Sequence, residues 1–354
     1  MSKNILLEDL DILAKNFKPY TALQNKRFLV TGATGLVGSF FVKSLLTLNK
    51  EYDLNIKLVA IVRNVEKATN IFNEFVKDSE IDFFQADVTD SELVDKICEK
   101  YEDMGFDFIL HGACITTSKI MVENPVETLY GSVEGTRQLL EVAKNFKVQK
   151  MIYLSSMEMY GSVDKSNVDE NDLGYINLSN VRSCYPESKR LCECMCNCYA
   201  KEYGVSVCSA RLAQTFGPGI LENENRVFAQ FARSAMNLTD IVLHTKGLSE
   251  GNYCYLRDMA QGLLYIFLYG ESGEAYNVAN EACHTTIADM AEMVCAKLAN
   301  GKIKVVYDIP ENTSSFGYAP DVKLRLSSKK LRNLGWEPQV DLQEAYERTI
   351  KYLS

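Results

Sequence analysis

A run of eight residues, Thr31-Gly32-Ala33-Thr34-Gly35-Leu36-Val37-Gly38, constrains this chain more than any other segment. It follows the apolar stretch Arg27-Phe28-Leu29-Val30 and leads into Ser39-Phe40-Phe41-Val42-Lys43-Ser44-Leu45-Leu46, an order that reads as strand, glycine turn and helix. Glycines let the backbone reverse tightly and allow a ligand close to the main chain. The first N–H groups of a helix, with its positive dipole end, then face an anion. A dinucleotide pyrophosphate meets these conditions, so Gly32, Thr34, Gly35, Leu36, Val37 and Gly38 are expected to hold one. The spacing G-x-x-G-x-x-G departs from the commoner G-x-G-x-x-G.

A second signal stands about 150 residues on. In Tyr185-Pro186-Glu187-Ser188-Lys189 a tyrosine and a lysine lie at i and i+4, on one face of a helix. Upstream, Met151-Ile152-Tyr153-Leu154 reads as a strand ending at Ser155-Ser156, at the carboxyl edge where open α/β sheets bind ligands. A free tyrosine titrates near pH 10, but an ammonium about 5 Å away at an effective dielectric of ~20 is worth roughly 3 kcal/mol, or about two pK units. The pattern therefore predicts Tyr185 as an acid/base of lowered pKa. Lys189 is its tuner and an anchor for ribose hydroxyls, and Ser156 donates a hydrogen bond to the reacting oxygen.

On these residues the chain resembles the extended short-chain dehydrogenase/reductases, in the NAD(P)-dependent sugar-nucleotide epimerase/dehydratase branch. The resemblance runs from about residue 26 to the end. It takes in Thr31 to Gly38, Asp87-Val88, His111-Gly112-Ala113, Ser155-Ser156-Met157-Glu158-Met159-Tyr160-Gly161, and the tyrosine and lysine. Ala210-Arg211-Leu212 with Phe216-Gly217-Pro218-Gly219, and Leu334-Gly335-Trp336-Glu337-Pro338, look like the family's later motifs. The resemblance implies that Asp87 and Val88 contact the adenine and that His111 and Ala113 border the cofactor. His111 is read as satisfying backbone groups rather than doing chemistry. It also implies a homodimer formed through the helices near Val126 to Phe146 and Tyr185 to Tyr203, with a nucleotide sugar as substrate.

Departures from the family are informative. Strand two ends Ala60-Ile61-Val62-Arg63-Asn64, without the carboxylate that holds the ribose hydroxyls of NAD. Arg63 can meet a 2′-phosphate, so the cofactor is NADP or NAD with NADP favoured. Gly251 falls where the family carries a diphosphate-clamping arginine, leaving Arg226, Lys246 or Arg257 as substitutes, and Ser132 falls where it often has asparagine. Glu158 matches the acid of 4,6-dehydratases and some decarboxylases, although Met157 occupies the place of a preceding aspartate in many dehydratases. A carboxylate there suits removal of the proton at carbon 5 after oxidation at carbon 4. The leading reading is thus a sugar-nucleotide 4,6-dehydratase with Ser156, Glu158, Tyr185 and Lys189 as catalytic residues. The alternatives are a 4-epimerase, a reductase of another carbonyl compound and a non-catalytic dinucleotide-sensing protein.

The 354 residues suffice for one large α/β unit and a smaller lobe, and 47% hydrophobic content supports buried cores. Alternating strand and helix patterns predict a doubly wound parallel sheet (Rossmann) over 26–212, with strands at Phe28–Thr31, Lys57–Val62, Ile81–Gln85, Phe108–His111, Met151–Ser155 and Val205–Arg211. A helical extension at 1–25 precedes it. A smaller mixed α/β substrate lobe follows at 213–354, ending in a helix from Leu342 to Tyr352. A net charge of −9 argues against nucleic acid or an anionic membrane as partner. With no long apolar stretch and no signal-like start, the expected location is cytoplasmic. Of eleven cysteines, Cys192, Cys194, Cys196 and Cys198 alternate along one helix, so they fall on two sides and close no metal cage; the expectation is no metal and free thiols.

Overall fold

The computed structural model describes residues 2–75, 81–221, 224–310 and 322–354. Twelve strands form among these residues: β1 Arg27–Thr31, β2 Lys57–Val62, β3 Ile81–Gln85, β4 Phe108–His111, β5 Lys150–Ser156, β6 Val207–Leu212, β7 Gln214–Phe216, β8 Ile241–Leu243, β9 Glu250–Tyr255, β10 Ala275–Val278, β11 His284–Thr286 and β12 Val305–Tyr307. Seven of them make one sheet in the order β10-β6-β5-β4-β1-β2-β3, with every pair parallel. Its inner strands are buried on both faces and read as largely apolar runs, whereas β3 at the edge is half-exposed. Alternate residues divide between two cores. Phe28, Val30, Phe108, Leu110, Ile152 and Leu154 pack on one face, beneath the helices Leu36–Tyr52 and Leu256–Tyr269. Leu29, Ile109, Met151 and Tyr153 pack on the other, against the helices Pro125–Phe146 and Cys184–Tyr203.

Strand order reverses between β1 and β4, so a crevice opens at the carboxyl ends of those two strands. The glycine turn after β1 and the His111-Gly112-Ala113 segment after β4 both lie there. The expected boundary at residue 213 marks where the chain first leaves this sheet. It returns at β10, which pairs with β6, and the helix Leu256–Tyr269 covers one face of the same sheet. The remaining strands form a three-stranded sheet, β11-β9-β7, and a pair, β12-β8, around a separate core that includes Phe216, Phe228, Met290 and Tyr346.

The N-terminal helix, Ser2–Asn16, packs against the helices Leu36–Tyr52, Leu256–Tyr269 and Leu342–Leu353, and so touches both lobes. Its Asp9 is wholly buried, accepting from the Tyr255 hydroxyl at 2.5 Å, from Arg257 at 2.8 Å and from Arg348 at 3.2 Å. The Leu334–Pro338 motif and the residues after it are tied to the helix Leu256–Tyr269 in the same region. Trp336 Nε1 donates to the Asp258 carbonyl at 2.9 Å, and the Asp258 carboxylate accepts the Gln339 and Val340 N–H groups. Among the described residues no helix is long and apolar enough to cross a membrane.

Candidate active site

The first half of the site is backbone. Gly32 has φ +73°, and a Cβ there would stand 2.6 Å from the Gly112 carbonyl carbon. At Gly38 a Cβ would stand 2.2 Å from the Gly32 oxygen, so the helix can approach the turn only without a side chain. Gly35 caps the helix Leu36–Tyr52 in extended conformation, and no side chain satisfies that helix end. The N–H groups of Leu36, Val37 and Gly38 therefore begin a helix beside an open crevice, the arrangement that receives a phosphate. Thr34 and Val37 are half-buried at its edge. Leu36 packs against the cores of both lobes.

His111 locks the two strand ends together. Thr136 Oγ1 donates to the Ser132 carbonyl at 2.7 Å, which leaves it to accept from His111 Nε2 at 3.2 Å. Nδ1 then accepts from Thr31 Oγ1 at 2.8 Å, and Thr31 Oγ1 in turn accepts the Gly112 and Ala113 N–H groups at 3.2 and 3.1 Å. The imidazole thus bonds side-chain hydroxyls, not the backbone groups expected from the sequence. Burial, assisted by Lys189, pushes its pKa down to about 3, so it stays neutral. Ser132 is buried with its hydroxyl on the Thr128 carbonyl, which makes it part of the helix interior.

Tyr185 and Lys189 share a face of the helix Cys184–Tyr203, as their spacing requires, and both are buried. Lys189 Nζ donates to the Leu154 carbonyl at 2.7 Å and to Cys114 Sγ at 3.4 Å, and lies 5.5 Å from the Tyr185 ring centroid. The expected downward shift of the tyrosine is not what this enclosure produces. Burial pushes the phenol up to about 12, while Lys189 and the Ser156 hydroxyl pull the other way. The correction is one of magnitude: removing the phenolate from water outweighs a single nearby ammonium. Ser156 ends β5 and caps the short turn Met157–Tyr160, its Oγ accepting the Glu158 N–H at 3.2 Å.

Glu158 is not a free carboxylate. Arg182, on the turn Val181–Ser183, donates through one Nη to both of its oxygens at 2.7 and 3.1 Å, and its guanidinium carbon lies 5.6 Å from the Tyr185 ring centroid. Sequence reasoning missed Arg182 and Cys114. The only available signal for Arg182 was its position three residues before Tyr185, and for Cys114 its place directly after the His111-Gly112-Ala113 segment.

The outer residues divide differently. Arg63 is exposed at the end of β2 and Asp87 is exposed after β3, its carboxylate accepting the Thr89 N–H and hydroxyl. Val88 lies so close to the helix Pro125–Phe146 that a Cβ at Gly135 would stand 2.9 Å from it. At Gly251, a Cβ would meet Met157 Cε at 3.2 Å, so the two departures from the expected pattern face each other. Of the proposed substitute cations, Arg257 is committed to Asp9 and Arg226 pairs with Glu224 at 2.7 Å, while Lys246 is exposed. Cys192 and Cys196 are buried and Cys194 and Cys198 exposed, two sides of one helix as expected. Among the described residues no group of three or more potential ligands gathers for a metal.

The sequence matches the model of the NAD dependent epimerase/dehydratase family over residues 28–279. The chain belongs to that family. It is therefore an enzyme of the NAD-dependent epimerase/dehydratases, in agreement with the reading from its motifs. UDP-glucuronic acid decarboxylase 6 of Arabidopsis thaliana is 29% identical over 321 residues, covering 90% of this chain and 86% of that one. The dTDP-D-glucose 4,6-dehydratase of Mus musculus is 27% identical over 336 residues, covering 92% and 88%. Among solved structures, dTDP-glucose 4,6-dehydratase from Bacillus anthracis, in complex with NAD, aligns with a TM-score of 0.74 at 20% identity, covering 92% of this chain and 96% of that one. The glycine cradle, closed to any side chain at Gly32 and Gly38 and followed by an uncapped helix, fits the dinucleotide of this epimerase/dehydratase family.

Proposed function

We propose that this enzyme is a sugar-nucleotide 4,6-dehydratase. The observation that carries the reading is the placement of a carboxylate, Glu158, on the same turn as Ser156 and, through Arg182, beside Tyr185. A nicotinamide dinucleotide held by the glycine turn Gly32 to Gly38 would supply the hydride acceptor for the transient oxidation at carbon 4. The residues of the chain handle the protons. Ser156 and Tyr185 hold the oxygen at carbon 4, and Tyr185 takes its proton while Lys189 stabilises the phenolate. Glu158 then removes the acidified proton at carbon 5 and passes it to the hydroxyl at carbon 6, which leaves as water; a double bond forms between carbons 5 and 6, and carbon 5 regains a proton from solvent as the hydride is returned to carbon 6.

A second reading, a 4-epimerase, is favoured by one observation, the engagement of Glu158 by Arg182. An epimerase needs no base at carbon 5. Incubation with UDP-, GDP-, dTDP- and CDP-sugars in deuterated water, followed by mass spectrometry, separates the two. Dehydration appears as loss of water with deuterium at carbon 5, and Glu158→Gln should abolish both. An unchanged mass with an inverted hydroxyl and no deuterium would decide for the epimerase.

A further inference from the structure

Among the described residues, several cations around the reacting centre are held mainly by groups that an incoming anion cannot displace. Lys189 is buried on Leu154 and Cys114. Arg190 pairs with Glu187 at 3.3 Å but is also anchored by the main-chain carbonyls of Met159, Tyr160 and Gly174, which no anion can replace. Arg211 is locked onto Glu193 with both side chains only 8% exposed. Arg182 differs. Its ion pair with Glu158 leaves the two side chains 25% and 36% exposed. An open pair of that kind is worth only about 0.2–1 kcal/mol, little enough for an incoming anion to replace the carboxylate.

We propose that Arg182 is a specificity-determining residue: an oxyanion of the substrate takes its guanidinium from Glu158, and that exchange releases the carboxylate as the base. The inference rests on the nucleotide-sugar reading above. While Arg182 donates to both of its oxygens, Glu158 is engaged by a competing hydrogen-bond donor and not by a carbon-bound proton. Once released, it accepts the carbon-5 proton. The carbon–hydrogen bond breaks, its electron pair moves toward the carbonyl at carbon 4, and the carboxyl group holds the proton until the hydroxyl at carbon 6 takes it and leaves as water. The same cation thus reads the ligand and arms the acid, and a ligand without a reachable oxyanion leaves the base masked. The oxyanion is either a diphosphate oxygen or a carboxylate on the sugar, both of which match a guanidinium fork.

Binding calorimetry with UDP-glucose, UDP-glucuronate and dTDP-glucose tests this without turnover, and retained dinucleotide binding shows that each variant is folded. Arg182→Ala should weaken binding at least ~10-fold, as expected for a lost charged hydrogen bond. Glu158→Gln should tighten it roughly 2–5-fold by freeing the guanidinium. The double variant should match Arg182→Ala. Effects common to all three ligands place the diphosphate on Arg182; effects confined to UDP-glucuronate place the sugar carboxylate there. If Glu158→Gln weakens binding or leaves it unchanged, or if Arg182→Ala has no effect, the pair is a structural link and the proposal is overturned. If the wild type binds none of the three, the nucleotide-sugar reading falls, and this inference with it.

Discussion

Substitution of Asp9 separates two contributions that a buried carboxylate usually combines. Asp9→Ala removes the acceptor of the Tyr255 hydroxyl and of Arg257, and Arg257 is itself buried, with its other carboxylate neighbour, Glu344, at 3.9 Å. Breaking one side of a buried ion pair costs about 3–5 kcal/mol. At roughly 2 °C per kcal/mol for a chain of this size, that is a fall of ~6–10 °C in the unfolding midpoint. Asp9→Asn keeps an oxygen in place and removes only the charge. Burial holds the Asp9 carboxyl above its ordinary value despite Tyr255, Arg257 and Arg348, so the charge itself is a net burden in the fold. The asparagine variant should therefore lose roughly half as much as alanine, or less. The pH dependence has a definite sign. A folded-state pKa above the unfolded value means a contribution fully present below the ordinary carboxylate range and lost as pH rises through the raised value. Wild type should accordingly gain on Asp9→Asn as pH falls across that window. Thermal unfolding by circular dichroism, repeated in steps from pH 7 to pH 4, measures all three quantities. Equal losses for asparagine and alanine, or a wild type that loses ground to Asp9→Asn on acidification, would refute the reasoning.

Tyr185→Phe and Lys189→Ala should each lower turnover by at least ~100-fold, with Tyr185→Phe largely sparing dinucleotide binding; near-native rates in both would remove them from the chemistry. We propose that NADP binds more tightly than NAD, because Arg63 is exposed at the end of β2 where an acid is missing, and calorimetric titration with both decides the matter. We also propose a homodimer. Val126 and Tyr130 on one helix and Leu191 on another are more than half exposed, and light scattering at micromolar concentration that shows a monomer would reject it.

β1, β2, β4 and β5 were legible because each is sandwiched between helices and reads as a largely apolar run, while β3, with Asp82, and β6, with Ser209 and Arg211, were legible from the alternation of strand and helix patterns around them. β10 was not, since Asn277 interrupts its four residues. That asparagine is satisfied by Tyr160 and Ser327, partners far away in sequence. The glycine turn and the Tyr185–Lys189 pair were legible for a similar reason: their geometry is set within a few residues. What escaped was anything decided by distant neighbours. Glu158 reads as a free acid until Arg182 is placed against it from 24 residues away, and the pKa of Tyr185 depends on an enclosure that no local spacing encodes. The extension reads as a short amphipathic helix, but the partners of Asp9 lie 246 to 339 residues further on.

The return of the chain at β10 has a consequence for how the molecule is made. During synthesis six strands of the large sheet emerge first, and β6 then forms an exposed edge until the residues of β7, β8 and β9 have also left the ribosome. Only at Ala275–Val278 can that edge be covered, and only once the helix Leu342–Leu353 has been made can Asp9 meet Arg348. An unpaired sheet edge is a template for unwanted pairing. The nascent chain thus carries an open sheet edge from the time Leu212 emerges until Ala275–Val278 follows, and a truncated product ending near residue 212 would keep that edge permanently.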